Sequence, residues 1–153
     1  MQAYKLKSII VLQGVFEEGV IKNLKLSKTA HVFVLEGRPS FEAAQLTCQA
    51  LLNNGITPTL IADNMAGFLF FKGWVKQVIV ACQLADKTGA LCDSGALILA
   101  VLAKKNKVPV KLLKAKHKAR FLGDPSAVAP RGINGYVPLV EWVPVKYLRA
   151  KKI

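Results

Sequence analysis

Short apolar runs rich in β-branched residues alternate along this chain with longer segments of helical period, the pattern of βαβ units around a parallel sheet. Val32-Phe33-Val34-Leu35 reads as a buried strand ended by Glu36-Gly37-Arg38-Pro39-Ser40. From Phe41 to Asn54 the positions Phe41, Ala44, Cys48, Leu51 and Leu52 share one helical face, with Ser40 as N-cap and Gly55 just past the end. Ile56 to Ala62 is the next strand, Asp63-Asn64 caps a short helix through Phe71, and Gly73 stops it. Val75 to Ala81, centred on Val78-Ile79-Val80, is a strand of the kind buried on both faces. A loop from Cys82 to Asp93, carrying the turn Lys87-Thr88-Gly89, leads to a helix from Gly95 to about Asn106 capped by Asp93 or Ser94; Val108 to Leu113 closes the series. Right-handed crossovers turn this order into an open, mostly parallel Rossmann-like sheet with helices on both faces, a three-layer α/β sandwich.

The expected core runs from about residue 30 to 113, with Ser8 to Phe16 as a further strand ahead of it. From Arg120 onward Gly123, Pro125, Pro130, Gly132, Gly135, Pro138 and Pro144 break any period. Residues 120–153 therefore read as an extended arm with one edge strand near Val137 to Val140 and a closing helix near Pro144 to Leu148. The whole, 1–153, is expected to form a single domain. With 52% hydrophobic residues the chain is not disordered despite a net charge of +13. Its mean hydropathy of +0.33 raises the question of a membrane, but no run approaches the ~20 apolar residues a spanning helix needs. Lys5 and Lys7 before Ser8-Ile9-Ile10-Val11-Leu12 suggest a signal peptide, yet Gln13-Gly14 interrupts and Glu17-Glu18 follows at once, so the expectation is a cytoplasmic protein with no membrane contact. Cys48, Cys82 and Cys92 form no CxxC pair and read as free buried thiols, and His31 and His117 stand far apart. Neither a metal nor a cofactor is expected.

The order Val34-Leu35-Glu36-Gly37-Arg38-Pro39, Leu46-Thr47, Gly55-Ile56, Thr59-Leu60-Ile61 and Asp63-Asn64-Met65-Ala66-Gly67 carries more than a fold. It continues through Lys72-Gly73, Val78-Ile79-Val80, Gly89, Leu99 to Lys104 and Val108-Pro109-Val110, and ends in Pro138-Leu139-Val140-Glu141-Trp142-Val143-Pro144. This resembles the C-terminal Rossmann-like domain of the family of translation initiation factor 2B α, β and δ subunits. That family also holds the methylthioribose-1-phosphate and ribose-1,5-bisphosphate isomerases and belongs to the NagB/RpiA/CoA-transferase-like superfamily.

The resemblance also implies what has changed. In the isomerases the third strand ends in Gly-Ala-Asp-Arg, whose Asp is the proposed general acid or base; here that place reads Ala81-Cys82-Gln83-Leu84. Gln83 cannot exchange a proton near neutral pH, so that step is lost. The resemblance implies that the isomerases' catalytic Cys and two phosphate-binding arginines come from an N-terminal domain, which, with about 30 residues before the resemblance, is expected to be missing from this chain. Glu42 and Gln45 replace the family's Gln and Arg, and the Asn-Lys pair becomes Cys92-Asp93 or Asp93-Ser94.

The candidate ligand residues are accordingly Arg38, Glu42, Asp63, Asn64, Gln83, Asp93 and Ser94, at the carboxyl edge of the sheet. Each has a plain alternative: Asp63-Asn64 as a helix cap, Glu36, Arg38 and Glu42 as a salt-bridged loop, and Asp93-Ser94 as a cap rather than an anion site. Lys104, Lys105, Lys107, Lys111, Lys114, Lys116, Lys118 and Arg120 form a basic run with no acid between Asp93 and Asp124. It reads as a solvated face or as a footprint for nucleic acid. Phe68-Leu69-Phe70-Phe71 and Trp74 are more apolar bulk than one helix face can bury, so a homodimer through Phe68 to Trp74 is expected. The function expected first is a stand-alone, non-catalytic initiation factor 2B-like binding module for a nucleotide or sugar phosphate. Next come an aldose–ketose isomerase subunit that needs another chain, and an RNA-associated basic protein.

Overall fold

The computed structural model describes residues 8–148. Its strands are β1 Ile9–Gln13, β2 His31–Leu35, β3 Thr59–Ile61, β4 Val75–Ala85, β5 Gly89–Asp93, β6 Val110–Lys114 and β7 Val140–Pro144. The helices are α1 Glu18–Leu24, α2 (a π-helical turn Ala43–Thr47 running into Cys48–Asn53), α3 Ala66–Phe71 entered through a 3-10 turn at Asp63–Met65, α4 Ala96–Lys105 and α5 Val145–Leu148. The strands form a 7-stranded sheet in which the pairs β1–β2, β2–β3, β1–β4 and β4–β6 are parallel, and β4–β5 and β5–β7 antiparallel. The mostly parallel α/β architecture expected from the alternation of runs is thus present. Its centre is β1, flanked by β2 and β4, rather than a strand added ahead of a core beginning near residue 30.

Alternate residues of the central strands point into different cores. Ile9, Val11, Val78 and Val80 pack with Leu69 and Phe70 of α3 and Leu99, Ala100 and Ala103 of α4. Leu12 and Ile79 pack with Ile21 of α1 and Ala50 and Leu51 of α2. A strand buried on both faces needs this continuous apolar run, and the result is three layers. α4 can lie close to the sheet because its buried positions Ala96, Leu99, Ala100 and Ala103 keep helical spacing and are mostly small.

Several boundaries move for identifiable reasons. β3 and β6 start later than expected, at Thr59 and Val110, because Pro58 and Pro109 cannot donate to a ladder. The expected loop from Cys82 to Asp93 is instead a hairpin: β4 continues to Ala85 and pairs with β5 through Cys82–Cys92 and Ala85–Ala90. Asp86 closes its turn, accepting from Thr88 N at 2.7 Å, Thr88 Oγ1 at 2.7 Å and Gly89 N at 3.2 Å. The arm's strand lies at Val140–Pro144, while the segment before it turns back so that Gly123 N donates to Val137 O and Leu139 N to Phe121 O.

Neither of the side-chain caps expected at α3 and α4 forms, whereas ahead of α2 Ser40 Oγ accepts from Glu42 N at 3.3 Å. Asp63 makes no cap bond at α3, and neither Asp93 nor Ser94 caps α4, whose N-cap position is Gly95. Glu141 of β7 does so from a distance, its Oε1 accepting from Gly95 N and Leu97 N, both at 2.8 Å. No helix among the described residues is long and apolar enough to cross a membrane.

Candidate functional site

From β1 the chain builds outward to β2 and β3, then returns across β1 to place β4 and β6 on its other side. The direction of winding therefore reverses between β1 and β4, and open α/β sheets bind ligands outside the carboxyl ends of strands at such a point. A crevice of about 240 Å³ opens there. β1 supplies Gln13, Gly14 and Val15; the loop after β2 and the start of α2 supply Gly37, Arg38, Ser40 and Glu42; the end of β5 supplies Asp93 and Ser94. The segment after β6 supplies His117, Lys118 and Arg120.

The floor is held by bonds between distant parts of the chain. Gln13, only 3% exposed, donates through Nε2 to Asp93 O at 3.1 Å and Ser94 O at 3.3 Å. Its Oε1 is buried without a partner. Gly14 takes a φ of +96°, and a Cβ there would sit 2.8 Å from the Ala81 Cβ and 3.6 Å from Asp93 Oδ2, so only glycine lets the loop pass. Buried Thr47 pins this loop, its Oγ1 accepting from Phe16 N at 2.9 Å and donating to Gly14 O at 3.1 Å.

The wall is shaped by Asp63, which accepts from Gly37 N at 3.0 Å and Arg38 N at 2.8 Å and so ties the loop after β2 to the end of β3. Arg38 pairs with Glu36 at 3.1 Å and lies 5.0 Å over the Phe41 ring, leaving its guanidinium exposed at the mouth. His117 N donates to Glu17 Oε1 at 2.7 Å, and His117 Nε2 stands 2.9 Å from Glu42 Oε2, at ion-pair distance but off the line of a hydrogen bond. Burial pushes the Asp93 carboxyl above the usual carboxylate range; His117 draws it back, while Glu42 adds to the rise. The Gln83 amide gives a smaller downward pull, although its buried Nε2 completes no hydrogen bond. Charge is thus divided, with Arg38, Lys118 and Arg120 at the rim and Glu42 and Asp93 inside.

Of the residues expected here, Arg38, Glu42, Asp93 and Ser94 line the crevice. Asp63 shapes the wall from behind. Asn64 is exposed outside the lining, and Gln83 lines a neighbouring groove instead. Gln13, Gly14, Thr47 and His117 were not anticipated as site residues; their traces in the sequence are a Gln-Gly pair at the end of an otherwise apolar run and the Leu46-Thr47 pair of the family pattern.

The basic run is also divided. Lys104 and Lys105 end α4, where cations suit the helix dipole, and Lys104 Nζ donates to Lys146 O at 2.8 Å. Lys111 and Lys114 sit on β6, whose one ladder partner is β4, and charge on an edge strand discourages further pairing. Lys116, Lys118 and Arg120 follow at the carboxyl edge of the sheet.

No described group of three or more His, Cys, Asp and Glu side chains is arranged to hold a metal ion. The thiols are poor nucleophiles. Burial pushes Cys92 up to about 12, with Cys82, Asp93 and Glu141 adding repulsion, and burial also raises Cys48 and Cys82.

Comparison with known proteins agrees with this architecture. The profile of the Initiation factor 2 subunit family matches residues 11–120. Methylthioribose-1-phosphate isomerase of Geotalea daltonii is 33% identical over 153 residues, covering 85% of this chain and 44% of the isomerase. The same-named protein of Desulfitobacterium hafniense is 43% identical over 93 residues, covering 60% of this chain and 27% of its own. The chain therefore spans less than half the length of these curated relatives. Among solved structures, the delta subunit of translation initiation factor eIF-2B from A. fulgidus superposes with a TM-score of 0.77 at 20% identity, covering 92% of this chain and 50% of that one. 5-Methylthioribose 1-phosphate isomerase from Pyrococcus horikoshii gives 0.75 at 21%, covering 93% and 48%.

Proposed function

The chain belongs to the initiation factor 2 subunit family, and from that premise we propose that it is a cytoplasmic, non-catalytic member that binds a phosphorylated sugar or nucleotide in the switch-point crevice. The observation that carries this reading is the division of charge across about 240 Å³ of space: Arg38, Lys118 and Arg120 stand where a phosphate would enter, and Gln13, Asp93 and Ser94 offer acceptors to hydroxyl groups inside. Relatives named methylthioribose-1-phosphate isomerase supply the ligand class. Gln83, which by the resemblance stands where the isomerases carry a carboxylate and whose amide acts on Asp93 of the crevice, supports a site that binds without turning over. A thermal-shift series with methylthioribose 1-phosphate and adenosine monophosphate tests this: ligand at 100 times its dissociation constant should add about 2.7 kcal/mol. The shift should vanish in Arg120→Ala. No shift with either compound would overturn the proposal.

A second reading, an isomerase subunit completed by another chain, draws on one observation: Asp93 is a carboxyl of raised pKa inside the crevice and could exchange a proton in place of Gln83. Turnover of methylthioribose 1-phosphate that is lost in Asp93→Asn would favour it. The proposal also includes a homodimer through Phe68 to Trp74, because α3 buries Leu69 and Phe70 and leaves Phe68 and Phe71 exposed.

A further inference from the structure

We propose that the groove between the end of β4 and the arm after β6 binds single-stranded nucleic acid, with Phe121 as the surface on which a base stacks. The groove encloses about 800 Å³ and lies beside the crevice, from which Lys118 and Ala119 separate it. Features of different kinds converge in it.

Lys114, Lys116 and Lys118 line it, and no carboxylate does. The ion pairs among the described residues are Arg38–Glu36 and His117–Glu42, so these ammonium groups are not neutralised by the protein. Lys104 and Lys105, by contrast, have structural employment at the end of α4 and lie outside the groove. A solvated face would scatter its cations; here the fold separates the run of eight cations and gathers part of it into one concavity.

Phe121, 73% exposed, and Leu84, 47% exposed, line the same concavity. An aromatic ring left in water among lysines is costly unless something flat and apolar covers it. Cations tracking a backbone beside an aromatic platform are the elements of sequence-tolerant single-strand binding. An acidic polypeptide would satisfy the lysines but leave the ring uncovered, and a duplex would keep its bases stacked internally.

Fluorescence anisotropy with a labelled single-stranded RNA of mixed sequence tests the proposal across a salt series. Contacts from the three groove lysines should contribute a slope of about −2 in log K against log salt. Lys114→Gln/Lys116→Gln/Lys118→Gln should remove that part of the slope. Lys105→Gln/Lys107→Gln/Lys111→Gln, which deletes the same charge elsewhere, should leave it unchanged. Phe121→Ala should weaken binding at least about fivefold with the slope preserved, and Phe121→Trp should restore it. All these positions are exposed, so folding is not at stake. Equal losses in the two lysine triples, a flat salt response, undiminished binding by Phe121→Ala, or equal affinity for polyglutamate or duplex RNA would each overturn the proposal. Lys118 lines the crevice as well, whereas Phe121 lines the groove and not the crevice, so loss of RNA binding in Phe121→Ala with the thermal shift by methylthioribose 1-phosphate unchanged separates this outcome from that for the crevice.

Discussion

The tightest single position in the site is Gly14. Its positive φ and the 2.8 Å approach of the Ala81 Cβ act together, so Gly14→Ala must both strain the backbone and part β1 from β4. We expect a loss of about 1–3 kcal/mol, read as a lower urea midpoint with unchanged slope. Asp93 gives a prediction of opposite sign. Because burial raises its carboxyl, the folded chain holds that proton more tightly than the unfolded chain does. As pH rises from the ordinary carboxylate range through the folded value, ionisation therefore lowers stability. Asparagine escapes that loss. Asp93→Asn should melt higher than the parent at neutral pH, and the gain should shrink toward about pH 3, where Asp93 is protonated in both states. A gain independent of pH would show that the carboxyl's charge is not the cause. Of this pair Asp93 was legible in the sequence as a crevice residue and Gly14 was not. Gln13-Gly14 reads there as an interruption in an apolar run, since Asp93 and Ser94, the partners that make Gln13 a floor, lie some 80 positions away.

At the scale of elements, the helix that follows Asp93 and Ser94 is capped by a strand. Glu141 of β7 takes two α4 amides at 2.8 Å each, which fixes the arm against the sheet and puts a carboxylate at the positive end of the helix dipole. Glu141→Ala should cost about 1 kcal/mol, measured by urea unfolding. No local side chain can take over the cap, because Gly95 occupies the N-cap position with a φ of +101° and has none to offer. A second lock lies where β5 meets β7: a Cβ on Gly89 would strike Val143 O and Trp142, so any larger residue there pushes the arm away. The parallel strands and their helices were legible because β-branched runs and helical spacing are local signals. The β4–β5 hairpin was not, because Gln83 and Asp86 break its apolar alternation and its pairing with β7 is set by an arm that glycine and proline disguise as irregular. The caps of α3 and α4 were misassigned for the same reason: a sequence shows the residues next to a helix start and hides those that arrive from another strand.

The whole molecule joins a sheet covered on both faces to an apolar patch that is not covered. Phe71 is 85% exposed and Phe68 45% exposed, with Lys72 lying 5.4 Å over the Phe68 ring and Trp74 meeting that ring edge-on at 5.9 Å. α3 cannot turn these rings inward without exposing Leu69 and Phe70, which pack on β4 and α4. The residue spacing forces the choice, since consecutive bulky residues on a helix cannot all face one side. Burying one such side chain is worth about 1.5–3 kcal/mol, and a two-fold contact would bury each twice over. We therefore expect a dimer at micromolar concentration by sedimentation velocity. Phe71→Asp should give a monomer while leaving the thermal midpoint nearly unchanged, because Phe71 makes little contact within its own chain. Leu69→Asp should instead unfold the protein, because its side chain is in the core. A parent chain that sediments as a monomer, or a Phe71→Asp variant that stays dimeric, would place the contact elsewhere or remove it.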